Sequence, residues 1–590
     1  MKTSTIGRTI LLVTAALALV PVLISAAPAF STRPYVPNPV EFELAAPSPT
    51  GGTASASGAR TVLSRVIRPS KRFNLVGLRW RGAPISALSV RVRGGGSWGH
   101  WTRVPVDPDH APDLGSHEGR RDWRASDPVW AGEARELQYR TATRGRIRDL
   151  RLHFINTKGT ATALDRLRTK LRGAVHGAFG TVASLFGARA ASAAGGAPPI
   201  VGRDAWGASK CPPRAIPSYG TVKLAFIHHT VSANDYGPGD SAAMVLGICL
   251  YHRNSNGWND IGYNFLVDKY GTIFEGRAGG VDAAVVGAQA QGYNAQSTGI
   301  SNLGTFSTTG QTEAGLQAMA RLLAWKLSIH GVPPTGTTTV TSTGGALNRY
   351  PAGTQVTLQH ISGHRDGDAT SCPGDGLYAQ LPRLREMTSQ VVLPPAPKLS
   401  LGADSTRVTF GTKAGLRAAL AGPDGAPLAG RPLGLQVLGR TGWNTLQSLS
   451  TDAGGSLSTR LRLAYTHAVR ARFAGEPGLG SAQSSPVLVG VRPLVQAKLE
   501  PSAASLARGQ RITVAGAVRP HKSSILLVVE RATATGRSVR VARRALRARG
   551  GQVRARFRFE RSGSYSVRLA VKPDRRNLSG RSPRLSVKVR

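Results

Sequence analysis

Two runs of helix- and strand-breaking residues, an Ala/Ser/Gly/Pro stretch at 191–199 and Pro394-Pro-Ala-Pro397, cut this chain into pieces with different hydrophobic patterns. Before the first break, Phe73-Asn-Leu-Val-Gly-Leu-Arg-Trp80, Ser89-Val-Arg-Val-Arg93 and Leu150-Arg-Leu-His-Phe154 alternate apolar and polar residues, at least in part. That is the period of a half-buried strand. A small β-sandwich is expected over 61–156, after a polar lead-in over 30–60. Between the breaks, 200–392 alternates strand and helix patterns. Leu224–His229 reads as a buried strand, 241–252 and 312–330 as helices, and 262–275 as a hairpin turning at Lys269-Tyr-Gly271. After the second break, units over 399–490 and 494–590 each close on an alternating run, and their length suits immunoglobulin-like sandwiches of about 100 residues. The expected fold is multidomain: a central α/β domain, its mixed sheet flanked by helices, between an N-terminal β-sandwich and two C-terminal Ig-like sandwiches. At roughly 150 residues per domain, a chain of 590 residues has room for them.

Within the first unit, Trp80, Trp98, Trp101, Trp123 and Trp130 read mainly as core, with Trp98 and Trp101 the better candidates for exposure beside a glycine-rich loop. Residues 160–187 carry leucines, valines and phenylalanines at three- and four-residue steps, a helix pattern weakened by three glycines, which leads into the linker. Residues 1–29 have the form of a signal peptide: Lys2 and Arg8, an apolar run, then Ala27-Pro-Ala29. A secreted or wall-associated monomer with no transmembrane segment after cleavage is expected. The formal charge is +44, and from 501 to 590 there are 23 Lys and Arg against Glu530, Glu560 and Asp574. Such a field attracts anionic polymers, including those of a cell wall. With no P-loop, helix-turn-helix or zinc-finger spacing, specific nucleic-acid binding has only charge behind it.

Cys211, Cys249 and Cys372 all fall in the α/β unit. In an exported chain, three cysteines suggest one disulfide and one thiolate with another task. His228 and His229 end a predicted strand, where neighbours point to opposite faces, so one of them faces a given site and the other is core or supports it. His364 and Cys372 lie in the loop Ser362-Gly-His-Arg-Asp-Gly-Asp-Ala-Thr-Ser-Cys-Pro-Gly374. One strand histidine with His364 and Cys372 supplies the three nitrogen and sulfur donors of a catalytic zinc, with a fourth position open. Two neutral imidazoles and one thiolate leave the site net positive, fit to acidify water and polarise a carbonyl. The competing reading pairs Cys372 with Cys211 or Cys249.

Phe226-Ile-His-His-Thr230, Asp260-Ile-Gly-Tyr-Asn-Phe-Leu-Val267, Gly271-Thr-Ile-Phe-Glu-Gly-Arg277, Gly287-Ala-Gln-Ala-Gln-Gly-Tyr-Asn294, Gly363-His-Arg-Asp366 and Cys372-Pro-Gly374 together resemble the peptidoglycan-recognition protein family, which includes phage lysozyme-type N-acetylmuramoyl-L-alanine amidases. The resemblance covers roughly 200–392, about a third of the chain. It implies a Zn2+ held by His228, His364 and Cys372, and hydrolysis of the bond between N-acetylmuramic acid and L-alanine in peptidoglycan. It implies an oxyanion donor in Tyr263. It places Thr370 where other members carry a catalytic Lys or Thr, here suited to orienting water or the oxyanion. Arg277 and Asn294 become candidate contacts to the muropeptide substrate, with His229 a further candidate. Members that only bind peptidoglycan typically lack the cysteine, so the resemblance favours an enzyme over a non-catalytic wall-binding protein. It also frees Cys211 and Cys249 to pair with each other. Two departures stand out: Gln289 replaces a common histidine, and Gly276-Arg-Ala-Gly279 replaces Gly-Arg-Gly-Trp, removing an aromatic from the groove.

Overall fold

The structure, a computed structural model, describes residues 38–46, 52–54, 60–106, 110–116, 118, 123–143, 146–158, 196–346, 348–500, 505–574 and 576–590. The expected signal peptide, the helix over 160–187 and the first half of the linker at 191–199 lie outside the described residues.

The N-terminal unit is a sandwich of two five-stranded antiparallel sheets. Phe73, Leu78, Trp80, Leu88, Leu137, Tyr139 and Phe154 fill the space between them. The expected polar lead-in over 30–60 is corrected here: Val40–Ala45 is a strand of the sandwich, paired with Ile147–Asn156 from Val40↔Asn156 to Ala45↔Arg151. The reason is plain in its side chains. Phe42 and Leu44 face the core, where Phe42 stacks on Phe154 at 5.0 Å, and Glu43 takes Arg79 at 2.6 Å. Trp80 and Trp130 are buried, whereas Trp98 and Trp101 are half-exposed, with the Arg91 guanidinium within 4.8 and 4.7 Å of their rings. Those two indole faces are thus already engaged by a cation.

The central unit has a six-stranded mixed sheet. Its strands are β1 (Ile200–Val201), β2 (Leu224–His229), β3 (Phe265–Val267), β4 (Ile273–Glu275), β5 (Ser297–Asn302) and β6 (Ile361–Gly363), in the order β1-β4-β3-β5-β2-β6. β3 and β4 form the expected antiparallel hairpin, while the other neighbours run parallel. The main helices are α1 (Ser241–Leu250), α2 (Glu313–Ser328) and α3 (Leu381–Ser389). Thr312 caps α2 by accepting the Gly315 amide. The pleat sorts the side chains between the faces. Ala225, Ile227, Phe265, Val267 and Ile300 pack with Leu316, Met319 and Leu323 of α2, whereas Leu266 and Phe274 pack with Met244, Val245 and Ile248 of α1. Cys211 and Cys249 form a disulfide that ties the segment before β2 to α1. Closing that loop is worth about 4 kcal/mol in chain-entropy terms.

The core beneath α1 does not stop at the domain boundary. Leu75, Trp130 and Ile155 of the N-terminal sandwich belong to the same apolar cluster as Met244, Leu250 and Tyr251. Tyr251 reaches across to donate to the Leu78 carbonyl at 3.3 Å, and Lys158 pairs with Asp240 at 2.7 Å. Gly77 permits the approach, since a Cβ there would stand 2.2 Å from the Tyr251 ring. The two domains are therefore packed as one body at this seam.

After the second break come two β-sandwiches with the same strand pairing. A three-stranded antiparallel sheet (Lys398–Ala403, Lys413–Ala421, Ser456–Arg462, then Leu494–Glu500, Arg511–Arg519, Gln552–Arg558) faces a six-stranded one in each. The first sandwich grips the central unit through Asp282, whose carboxylate takes Arg470 and Arg472, each at 3.0 Å. Burial works to raise the Asp282 carboxyl, but the two arginines hold it below its ordinary value. Among the described residues, no helix is long and apolar enough to cross a membrane.

Gly77→Ala tests the seam. The added methyl forces the Tyr251 ring or the strand to move, and the full chain should lose about 1–3 kcal/mol in denaturant unfolding. Unchanged stability would show that the seam is not tightly packed.

Candidate metal centre

The pairing of β2 with its parallel neighbours sets the site. Ile227 pairs with Gly363, so the chain leaving β6 delivers His364 beside the carboxyl end of β2. His228 shares its register row with Leu266's partner Ser301 and faces away from α2, while His229 falls on the α2 face. After His364 the chain makes one tight turn, His364–Asp366, and folds back. Arg365 donates its amide to the Cys372 carbonyl at 3.0 Å, and Cys372 donates its own to Thr370 Oγ1 at 2.9 Å. The loop thus returns the cysteine to its starting point.

His228, His364 and Cys372 converge, and they are not alone. His110, from the N-terminal sandwich, completes a buried cluster whose four donor atoms all lie within 4.8 Å of one another. His228 Nδ1 is 3.2 Å from His110 Nε2 and 3.7 Å from Cys372 Sγ, and the sulfur is 3.9 Å from His110 Nε2. A tetrahedral zinc with nitrogen ligands at 2.0–2.1 Å and sulfur at 2.3 Å spaces its donors about 3.3–3.6 Å apart, so the set fits. Both site imidazoles are oriented from behind. His228 Nε2 meets Gln289 Oε1 at 2.5 Å, and His364 Nε2 meets Asp368 Oδ2 at 2.8 Å. Each pairing leaves Nδ1 for a metal, and His364 Nδ1 is buried with no hydrogen-bond partner. Burial first, then the neighbouring imidazoles, hold His228 and His364 well below the usual histidine range, so both are neutral and their lone pairs available. Burial pushes the Asp368 carboxyl up to about 8, against the pull of His110 and Arg349.

The other expected residues divide. Tyr263 is buried beside the cluster, its ring centroid 5.7 Å from that of His228 and 5.1 Å from that of His110. Thr370 uses its hydroxyl to hold the Cys372 amide. Asn294 is buried and orders its turn by accepting the amides of Gln289 and Ala290 at 2.7 and 3.1 Å. Arg277 is buried against Glu118 of the N-terminal unit. His229 does not join the site: on the α2 face its Nδ1 accepts the Phe306 amide at 3.2 Å, and burial takes its pKa down to about 3. The β2 pleat turns it away from the donor cluster and toward the α2 core. The pairing of Cys211 with Cys249 leaves Cys372 outside any disulfide, as the zinc reading requires.

Three members of the site carry little signal in the sequence. Gln289, which replaces the family's common histidine, orients His228 through Nε2. Asp368 stands four residues after His364, a spacing that offers a signal on a compact turn. His110 has no such signal, being a single histidine in a Pro/Asp-rich stretch of another domain.

The α/β domain thus gathers two buried imidazoles and a cysteine sulfur beside the carboxyl ends of parallel strands, a donor set that suits a divalent metal. A family model described as N-acetylmuramoyl-L-alanine amidase matches residues 218–375, and one described as Rv3811 N-terminal galactose-binding domain-like matches 28–164. Peptidoglycan-recognition protein SC2 of Drosophila simulans is 32% identical over 185 residues, 31% of this chain and 84% of that protein. The human N-acetylmuramoyl-L-alanine amidase is 29% identical over 214 residues, 35% of this chain and 31% of that protein. Among solved structures, Drosophila PGRP-LB aligns with a TM-score of 0.25 and 27% identity, covering 31% of this chain and 92% of that one. The chain belongs to the peptidoglycan-recognition protein and N-acetylmuramoyl-L-alanine amidase family.

The support behind His364 makes a prediction. Asp368→Ala should weaken metal binding about 10–100-fold while the fold survives, read by competition with a chelator of known affinity. Unaltered affinity would mean that the carboxylate does not orient the ligand.

Proposed function

We propose that this chain is a zinc-dependent hydrolase cutting the amide between N-acetylmuramic acid and L-alanine in bacterial peptidoglycan. The observation that carries the reading is the presence of Cys372 with His228 and His364 in one buried cluster, where two neutral nitrogens and a sulfur suit zinc. Bound there, zinc would supply Lewis acidity to the scissile carbonyl and to water.

The chain's own residues do the rest. Gln289 and Asp368 fix the two imidazoles so that no reorganisation is needed when substrate arrives. Tyr263 lies where a phenol can donate to the oxygen that gains charge as the amide carbon becomes tetrahedral. Thr370 keeps the sulfur in place through the Cys372 amide rather than acting as a base. Arg277 and Asn294 offer a cation and an amide to the carboxylates and carbonyls of a stem peptide. Export to the cell surface is part of the proposal, supported by the Cys211–Cys249 disulfide, a bond favoured in oxidising compartments. So is retention on anionic wall polymers, supported by the strand Ser538–Arg547, which exposes Arg540, Arg543, Arg544 and Arg547.

Purified full chain incubated with cell walls should release new peptide amines, and a chelator should stop it. Cys372→Ala should lose both metal and release. Tyr263→Phe should keep the metal and slow turnover about 10²–10³-fold. A Tyr263→Phe enzyme at full rate removes the oxyanion role, and walls unchanged by the metal-loaded protein and its variants would leave a wall-binding protein.

A further inference from the structure

The N-terminal sandwich lays residues 110–113 and Glu118 against the central unit beside the donor cluster. His110 is 1% exposed, lies 3.2 Å from His228 Nδ1, and stacks on His364 with centroids 4.9 Å apart and planes 27° apart. Its other nitrogen, Nδ1, faces the buried Asp127 carboxyl group at 3.7 Å, beyond hydrogen-bond distance, whereas His364 has Asp368 at 2.8 Å. Next along the chain, Ala111 and Pro112 offer their carbonyls to Asn294 Nδ2 at 2.8 Å and Gln291 Nε2 at 3.0 Å. Asp113 accepts from the Gly292 amide and from Asn294 Nδ2, both at 2.8 Å. Glu118 pairs with Arg277 and accepts the Asn259 amide at 2.6 Å.

We infer that His110 is a fourth ligand to the metal, and that residues 110–116 with Glu118 form a built-in competitor for the substrate's partners, which slows hydrolysis by the full chain without abolishing it. A catalytic zinc keeps one position open, and four protein donors close it. The segment does more than cap the metal. It presents backbone carbonyls and two carboxylates, the chemistry of an acidic peptide, to Asn294 and Arg277, the groups proposed above to receive the stem peptide. The shared core around Leu75, Trp130 and Tyr251 holds the sandwich against the catalytic unit, so the segment acts at high effective concentration. Hydrolysis then proceeds in the fraction of molecules from which this segment has lifted, and a muropeptide competes with it for the same partners. This inference rests on the amidase reading of the site, but its test separates the two.

The full chain and His110→Ala are loaded with Co2+ in place of zinc. Visible absorption is followed during titration with azide, a small anion that needs a vacant coordination position. The expected result is a wild-type spectrum that azide does not shift, and a His110→Ala spectrum that it does. Release of amines from soluble muropeptide should rise at least tenfold in His110→Ala. A second protein, Asp113→Asn with Glu118→Gln, keeps all four donors but loosens the segment, and should lose Co2+ to a chelator about tenfold faster than wild type. Equal azide response in wild type and His110→Ala, or equal metal loss in the double variant, overturns the inference. If azide discriminates while neither protein releases amine, closure of the metal stands and the amidase reading falls.

Discussion

The parallel pairing of β2 with β6 is the constraint on which the rest depends. His228 and His364 are far apart in sequence, and only the register that sets Ile227 against Gly363 brings them to one end of the sheet. A slip of one residue would exchange His228 for His229 and turn the site imidazole into the α2 core. That register is held by apolar side chains on both faces: Ala225 and Ile227 against α2 on one side, Phe226 against Tyr293 on the other. The hydrophobic core and the donor cluster are therefore one design, with the core fixing which imidazole joins the cluster.

Much of this was legible beforehand, for physical reasons. The strand and helix patterns of 200–392 are strong because this sheet is buried on both faces, so β2 reads as an almost continuous apolar run. The donors were legible through residue type and the family resemblance, but spacing could not choose between His228 and His229, since the pleat alternates whichever way the sheet faces. The strand Val40–Ala45 was overlooked although Val40-Glu-Phe-Glu-Leu44 alternates cleanly, because its surroundings are rich in Pro and Ser. His110 was illegible in principle: its partners lie more than a hundred residues away, and a contact between domains leaves no local periodicity.

The four units play unequal parts. The central one carries three of the four clustered donors, and the N-terminal sandwich shares its core and supplies the fourth, His110. The C-terminal pair repeats one pairing scheme and adds positive charge, joined to the centre at Asp282 by Arg470 and Arg472. A buried pair of this sort specifies a docking geometry more than it adds stability, because desolvation offsets much of the attraction. The chain thus holds its donor-bearing unit between a domain that adds His110 to the cluster and domains that supply charge.

Zinc-edge X-ray absorption on the purified full chain reads the donor cluster directly. One zinc per chain is expected, with a single sulfur at about 2.3 Å and nitrogen donors at about 2.0–2.1 Å. A first shell without sulfur, or a protein that holds no zinc, would contradict it.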